Sequence, residues 1–146
     1  MQLSIVAKTL GLLLMVFSFA QVPPILVDLI YSEGEYLTFV FSFILTVFGG
    51  LVLWWPFRAI KKSFRLREGV LIVVSFWIVL SLFGTLPFLI TESISNLSFS
   101  NAFFESMSGL TTTGATVLSQ LDDLPKSVLF YRQQLQWLGG MGIIVL

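Results

Sequence analysis

The sequence predicts an all-α membrane protein, and three observations lead to that fold class. Hydrophobic residues make up 56% of the 146 residues, while charged residues make up only 11%, against about 25% in soluble domains. The mean hydropathy is +0.94. Uncharged stretches long enough to cross a bilayer follow one another along the chain. We expect two leading transmembrane helices, followed by one repeat of a helix, a short helix, a loop and a second helix.

The composition also excludes several function classes. The chain contains no cysteine and no histidine, so it lacks a thiolate nucleophile, the most common general base and a common metal ligand. Eight Lys and Arg residues balance eight Asp and Glu residues, which gives no electrostatic attraction to nucleic acid. We therefore expect neither an enzyme nor a nucleic-acid partner.

Three complete uncharged stretches predict helices that cross the lipid bilayer, because a crossing needs about 20 apolar residues. They cover residues 9–27, 36–57 and 69–91. Pro23 and Pro24 predict a kink at the outer end of the first helix. The alternative for this stretch is a cleaved signal sequence, since residues 18–20 (SFA) resemble a signal-peptidase site.

A fourth apolar stretch runs from Ser127 to Leu146, where the sequence stops. Gly139, Gly140 and Gly142 lie in it, and we interpret them as helix-packing positions, with a hinge as the alternative. The sequence ends within this predicted helix without a cap. We therefore expect the chain to be the amino-terminal part of a longer protein.

Charged residues between the stretches predict the orientation in the membrane, because Lys and Arg remain on the cytoplasmic side. The loop after the first stretch is purely acidic, whereas the loop after the second is strongly basic. The acidic residues are Asp28, Glu33 and Glu35; the basic loop contains Arg58, Lys61, Lys62, Arg65 and Arg67, with one acid, Glu68. The amino terminus is therefore expected in the cytoplasm and residues 92–126 outside.

Residues 99–109 predict a helix that is too short to cross the membrane. The apolar run from Phe99 to Leu110 reaches about 18 Å at ~1.5 Å per residue, against a hydrocarbon core of about 30 Å. Candidate N-caps are Ser98, Ser100 and Asn101, and Gly109 is placed to end the helix. The pattern indicates a helix that enters the membrane and turns back.

The loop at residues 110–116 follows directly and is rich in threonine, with one glycine, Gly114. β-Branched residues favour an extended backbone, and glycine permits a positive φ. Non-helical backbone at membrane depth exposes carbonyl oxygens that can replace the hydration shell of a monovalent cation. The order of elements is that of a potassium-channel repeat: helix 69–91, pore helix 99–109, filter 110–116 and helix 127–146. The alternative is an ordinary extracellular loop after an interfacial helix.

Two charged residues lie in the predicted membrane-embedded part of the repeat, Glu105 in the short helix and Arg132 in the last. A charge at membrane depth is usually paired or functional. We hypothesise that Glu105 and Arg132 form an ion pair that ties the two helices together. The alternative is that both side chains extend to the outer interface.

The chain resembles the first pore repeat of the Trk-type potassium uptake proteins, the TrkH/TrkG membrane subunit of bacteria. The residues that carry the resemblance are 102–116 (AFFESMSGLTTTGAT), 129–133 (LFYRQ) and 136–146 (QWLGGMGIIVL). Members of this family carry four such repeats in one polypeptide. The resemblance therefore implies that residues 1–68 form a two-helix amino-terminal segment and residues 69–146 the first pore repeat.

The resemblance implies potassium as the transported ion, bound by main-chain oxygens of Thr111, Thr112, Thr113 and Gly114 as one quarter of the filter. It also implies a homodimer in the bacterial inner membrane and a cytosolic, nucleotide-binding regulatory subunit of the TrkA type. The loop has one glycine and no tyrosine, which implies weaker discrimination against sodium than in potassium channels. Two alternatives stay open: a stand-alone subunit that forms a homotetramer, and a membrane scaffold that transports nothing.

Overall fold

The computed structural model describes residues 3–59, 66–94 and 97–145, with the backbone alone at 66–68 and 143–145. These residues form an all-helical bundle, as the sequence predicts. The helices are α1 (Leu3–Ser18), α2 (Val22–Tyr31), α3 (Tyr36–Trp54), α4 (Leu66–Gly84), α5 (Leu86–Ile90), α6 (Phe99–Leu110) and α7 (Lys126–Val145). Single 3₁₀ turns occur at Phe19–Gln21, Trp55–Phe57 and Leu121–Asp123.

Three helical runs are long and apolar enough to cross a membrane. The three predicted spans are therefore confirmed in length and composition. They are Leu3–Tyr31, Tyr36–Phe57 and Gly69–Ile90. α7 has 20 residues but includes Lys126, Arg132 and several glutamines, so its crossing stays a prediction. Part of the loop that predicts the orientation is not described. Lys61, Lys62 and Arg65 lie outside the described residues, as do the side chains of Arg67 and of the single acid, Glu68.

The first helical run is interrupted where Pro23 and Pro24 predict a kink. The interruption is the 3₁₀ turn Phe19–Gln21, and helix α2 then continues to Tyr31. The two prolines lie in the first turn of α2, where their missing N–H groups cost nothing, because the first N–H groups of a helix have no partner within it. The break lies one turn before them, at the carbonyls of Phe19 and Ala20 to which Pro23 and Pro24 cannot donate.

Acidic residues of α2 and of the turn after it hold the amino-terminal ends of two helices. Asp28 is 1% exposed, and its carboxylate accepts hydrogen bonds from the N–H groups of Glu35 (3.0 Å) and Tyr36 (2.9 Å) at the start of α3. The Glu33 carboxylate accepts from the N–H groups of Lys126 (2.8 Å) and Ser127 (3.2 Å) at the start of α7. The carboxylates complete helix ends whose N–H groups would otherwise lack partners.

The same turn is fixed to the rest of the chain by two further contacts. The Ser127 hydroxyl donates to Asp28 at 3.3 Å, and the Ser93 hydroxyl donates to the carboxylate of Glu35. From the sequence, these three acids predict only the orientation in the membrane. Their structural role is to dock the leading pair of helices onto the helices that carry the candidate site.

The leading helices contact each other through glycine. α1 packs along α3, and a Cβ at Gly11 would lie 2.6 Å from the carbonyl oxygen of Gly50 and 2.7 Å from the N atom of Trp54. Both atoms belong to the backbone, so a side chain at Gly11 can be accommodated only if the two helices separate. Small residues at such positions permit close approach of helices within a bilayer.

We predict that Gly11→Ala destabilises the protein by about 1–3 kcal/mol, because the added methyl group overpacks a contact between two backbones. Thermal unfolding of the purified protein in detergent measures this. Gly69→Ala is the matched control: Gly69 also lies in a helix, and a Cβ there meets none of the described atoms within 4 Å. The control should be neutral or slightly stabilising, since alanine favours helices. Equal loss in both variants would contradict the packing argument.

Candidate functional site

Helix α6 begins and ends with side-chain and backbone contacts that define its length. The Ser98 hydroxyl caps its start by accepting from the N–H of Asn101 at 3.2 Å, which selects Ser98 among the three candidate caps. The helix continues through Gly109 to Leu110, one residue beyond the predicted end. Gly109 therefore does not end the helix. It lies against α7, where a Cβ would be 3.0 Å from Cβ of Leu135.

The loop after α6 folds its N–H groups back onto the end of that helix. The N–H of Thr111 donates to the carbonyl of Met107 (2.8 Å), and that of Thr112 to the carbonyl of Gly109 (2.9 Å). The N–H groups of Thr113 (3.0 Å) and Gly114 (3.3 Å) both donate to the carbonyl of Ser108. Four successive N–H groups thus pair with the last carbonyls of α6, which would otherwise remain unpaired at a helix end.

This pairing requires a backbone that is not uniformly extended, and the prediction of an extended strand at residues 110–116 is wrong in this respect. Leu110 belongs to α6, Thr112 has a φ of +59° and Gly114 a φ of +73°. Glycine adopts such values freely, as expected for Gly114. A β-branched residue rarely does, so Thr112 is held in a costly conformation of a kind that clusters at functional sites.

The carbonyl oxygens of Thr111, Thr112, Thr113 and Gly114 differ from the N–H groups of the same residues. Among the described residues, no group donates a hydrogen bond to them, and all four residues are exposed. The next carbonyl, that of Ala115, accepts from the Ser108 hydroxyl at 2.6 Å. The loop therefore presents four successive residues whose carbonyl oxygens are available to a cation, beside the negative end of the α6 dipole.

A buried ion pair anchors the other end of the loop. Nε of Arg132 lies 2.5 Å from Oε1 of Glu105, and the two side chains are 8% and 2% exposed. The structure thus brings the two charged residues together. Neither side chain extends to the surface, so the alternative, in which both reach the outer interface, does not apply. Glu105 also accepts hydrogen bonds from the Thr116 hydroxyl (3.0 Å) and the Val117 N–H (3.1 Å). One carboxylate in α6 thereby connects α7 to the exit of the loop.

Helix α7 supports the start of the loop through Gly139. A Cβ at this residue would overlap the carbonyl oxygen of Leu110 and lie 2.6 Å from its carbonyl carbon. The backbones of α6 and α7 touch at this point, immediately before the first loop residue. Gly139 is a packing position rather than an unconstrained hinge.

Two residues with a clear role in the site were absent from the predicted set, Ser108 and Thr116. Ser108 uses its hydroxyl and its carbonyl to hold the loop, and Thr116 donates to Glu105. The available signal was their position, since short hydroxyl side chains beside a turn commonly bond to nearby backbone. Which of several such residues does so depends on the backbone path, which the sequence pattern does not specify.

Comparisons with known proteins give a consistent result. The sequence model of a protein family described as TrkH, cation transport protein, matches residues 36–146. The Trk system potassium uptake protein TrkH of Halomonas elongata is 51% identical over 146 residues, which are 100% of this chain and 30% of that protein. The protein of the same name from Escherichia coli (strain K12) is 53% identical over 141 residues, 97% of this chain and 29% of that protein.

Among solved structures, the crystal structure of the potassium transporter TrkH from Vibrio parahaemolyticus matches with a TM-score of 0.93 and 52% identity. The match covers 99% of this chain and 31% of that chain. The chain therefore spans about 30% of the length of the relatives that it matches.

We predict that Glu105→Gln destabilises the protein by about 3–5 kcal/mol, because Arg132 then remains buried without its counter-charge. Arg132→Gln should cost a similar amount, and the double variant clearly less than the sum of the two. Thermal unfolding of the four proteins in detergent provides this double-mutant cycle. Additive effects of the two substitutions would show that the pair does not act as a unit.

We predict that Gly139→Ala destabilises the protein by about 3 kcal/mol, since its methyl group would overlap the backbone of Leu110. The adjacent Gly140→Ala is the matched control. A Cβ at Gly140 meets only the side chain of Thr112, at 3.9 Å, an ordinary contact distance. Unfolding temperatures of the two variants should differ by several degrees. If they coincide, the contact between α7 and Leu110 does not constrain the site.

Proposed function

The chain belongs to the TrkH family of cation transport proteins, a family of transporters rather than enzymes, and from this membership we propose that it supplies one repeat of a potassium uptake pore. In this proposal α6 is the pore helix, and Thr111, Thr112, Thr113 and Gly114 form one quarter of the filter. Their main-chain oxygens bind potassium, the transported ion. Helices α4 and α7 enclose the pore helix as the two long helices of the repeat.

The observation that carries the proposal is the difference between the N–H groups and the carbonyl groups of the loop. The N–H groups of four successive residues pair with the end of α6, while the carbonyl oxygens of the same residues have no donor among the described residues. A site for a bare cation needs this arrangement, because oxygens must replace the water around the ion and N–H groups must be kept away from it. An ordinary surface loop has no need to separate its two kinds of polar group.

The exposure of the loop supports a composite site. Residues 111–117 are exposed in this chain, although the residues that hold them, Glu105, Ser108 and Arg132, are buried. A single row of carbonyls cannot surround an ion. We propose that equivalent loops from three further repeats complete the ring, as the resemblance implies for members of this family.

The assembly around the pore follows from the same family membership. The relatives named as potassium uptake proteins are about three times as long as this chain. We propose a protein of four repeats in one polypeptide, which dimerises in the bacterial inner membrane with a cytoplasmic amino terminus. A cytosolic, nucleotide-binding subunit of the TrkA type regulates it. The filter has one glycine and no tyrosine, so we expect weaker discrimination between potassium and sodium than in potassium channels.

We predict that Gly114→Ala reduces potassium uptake at least tenfold without removing the protein from the membrane. Glycine adopts the φ of +73° at Gly114 without cost, whereas alanine is strained there and would turn the neighbouring carbonyls out of the filter. Uptake of potassium or rubidium is measured in bacteria whose own uptake systems are deleted and which express the full-length protein. An immunoblot of the membrane fraction reports the amount of protein.

Gly34→Ala is the matched control for this experiment. Gly34 has a φ of +86° in the turn between α2 and α3, and a Cβ there meets no described atom within 4 Å. Alanine introduces similar backbone strain there, at a position remote from the loop, so uptake per amount of protein in the membrane fraction should stay close to that of the wild type. Normal uptake by Gly114→Ala would exclude the filter, whereas absence of uptake by the wild-type protein itself would favour a scaffold that transports nothing. Cross-linking in membranes separates one polypeptide with four repeats from a homotetramer of single-repeat chains.

A further inference from the structure

A second group of polar side chains lies buried between the helices, behind α6. Gln21, Ser106 and Tyr131 are each 0% exposed. They come from three different elements: the 3₁₀ turn between α1 and α2, helix α6 and helix α7. None of them belongs to the loop or to the ion pair described above. Burial of three polar groups in a membrane protein requires partners, because hydrocarbon supplies none.

Two of the three residues have polar atoms without a protein partner. The hydroxyl oxygen of Ser106 is buried and finds no hydrogen-bond partner among the described residues. The amide of Gln21 is also buried; it lies beside the Tyr131 hydroxyl, but in a geometry that does not make a well-formed hydrogen bond. Other buried hydroxyl groups of the bundle do have partners: Ser42 donates to the carbonyl of Thr38 at 2.8 Å, Thr85 to that of Ser81 at 2.7 Å and Ser108 to that of Ala115 at 2.6 Å. Ser106 lacks such a partner, although it lies within a regular helix.

Ser106 and Tyr131 meet at Gly84, where α4 ends, and Gln21 lies beside Tyr131. A Cβ at Gly84 would lie 2.5 Å from Oγ of Ser106 and 3.5 Å from the hydroxyl oxygen of Tyr131. The Tyr131 hydroxyl donates to the carbonyl of Gly84 at 3.0 Å, so its oxygen can still accept a hydrogen bond. The side chain of Gln21 lies against the same hydroxyl.

We propose that internal water occupies this junction and bridges the Gln21 amide to the Ser106 hydroxyl beside Tyr131. Buried waters typically make about three hydrogen bonds to otherwise unsatisfied groups, and this junction offers donors and acceptors together. Water can satisfy both, since it donates and accepts. A cation does not fit, because the Gln21 NH₂ group is a donor and would face it with positive partial charge.

The water site gives the leading helices a role in positioning the short helix. Gln21 belongs to the interruption between α1 and α2, and Ser106 follows Glu105 directly in α6. A water bridge between them would hold α6 against the turn between α1 and α2. Arg132 holds α6 against a different helix, α7. This inference concerns hydration and is independent of which ion the loop binds.

X-ray radiolytic footprinting of the purified protein in lipid nanodiscs tests the proposal directly. Radiolysis converts bound water to hydroxyl radical, which modifies the nearest reactive side chain. The rate at which Tyr131 is modified is compared with the rates for Phe39 and Phe88. We expect this ratio to be several-fold higher than the ratio of the intrinsic reactivities of tyrosine and phenylalanine. Phe39 and Phe88 are the internal controls, because they are equally buried and their rings pack on that of Tyr131. A ratio no higher than that of the intrinsic reactivities would overturn the proposal.

The sign of a stability change provides a second, independent test. If water bonds to Ser106, Ser106→Ala removes a satisfied group and lowers Tm, and it also slows the modification of Tyr131. If the hydroxyl is truly unpaired, the same substitution removes a buried polar atom at no loss and raises Tm, which would overturn the proposal. Ser42→Ala is the matched control, since it deletes a buried hydroxyl that already has a partner. It should leave the modification of Tyr131 unchanged.

Discussion

The pairing of backbone N–H groups at the end of α6 is the constraint on which the rest of the site depends. A loop that offers its carbonyl oxygens to a cation must keep its N–H groups away from the ion, so each N–H needs a protein acceptor. A helix that stops early supplies those acceptors, because its last carbonyls are unused. The loop takes the carbonyls of Met107, Ser108 and Gly109 for this purpose. The carbonyls of the loop itself have no donor among the described residues and stay available to an ion.

The remaining contacts keep that arrangement in place. Glu105 holds the exit of the loop at Thr116 and Val117, and Arg132 neutralises the charge of Glu105 from α7. Gly139 allows α7 to touch Leu110, so the entrance of the loop is fixed as closely as its exit. The strained φ of Thr112 persists because the contacts on both sides determine the backbone between them.

The sequence predicts the elements of this structure better than it predicts their connections. Hydrophobic stretches specify the three long helices, and Ser98 with its following apolar run specifies the position of α6, because these signals are local. The pair formed by Glu105 and Arg132 also follows from sequence, since two charges in a hydrophobic repeat have few other partners. The positive φ of Thr112 and the water-lined junction at Gln21 do not follow. They depend on how distant helices pack, and no local pattern encodes that.

The two acidic caps between α2 and α7 have a consequence for how the protein is made. Glu33 binds the N–H of Lys126, a residue 93 positions later in the chain. The ribosome completes the carboxylates of Asp28 and Glu33 long before it completes their partners in α7. The first hairpin is therefore synthesised in full before α7, the helix that docks on it. Errors in the hairpin will accordingly appear as a failure to dock a segment that is synthesised much later.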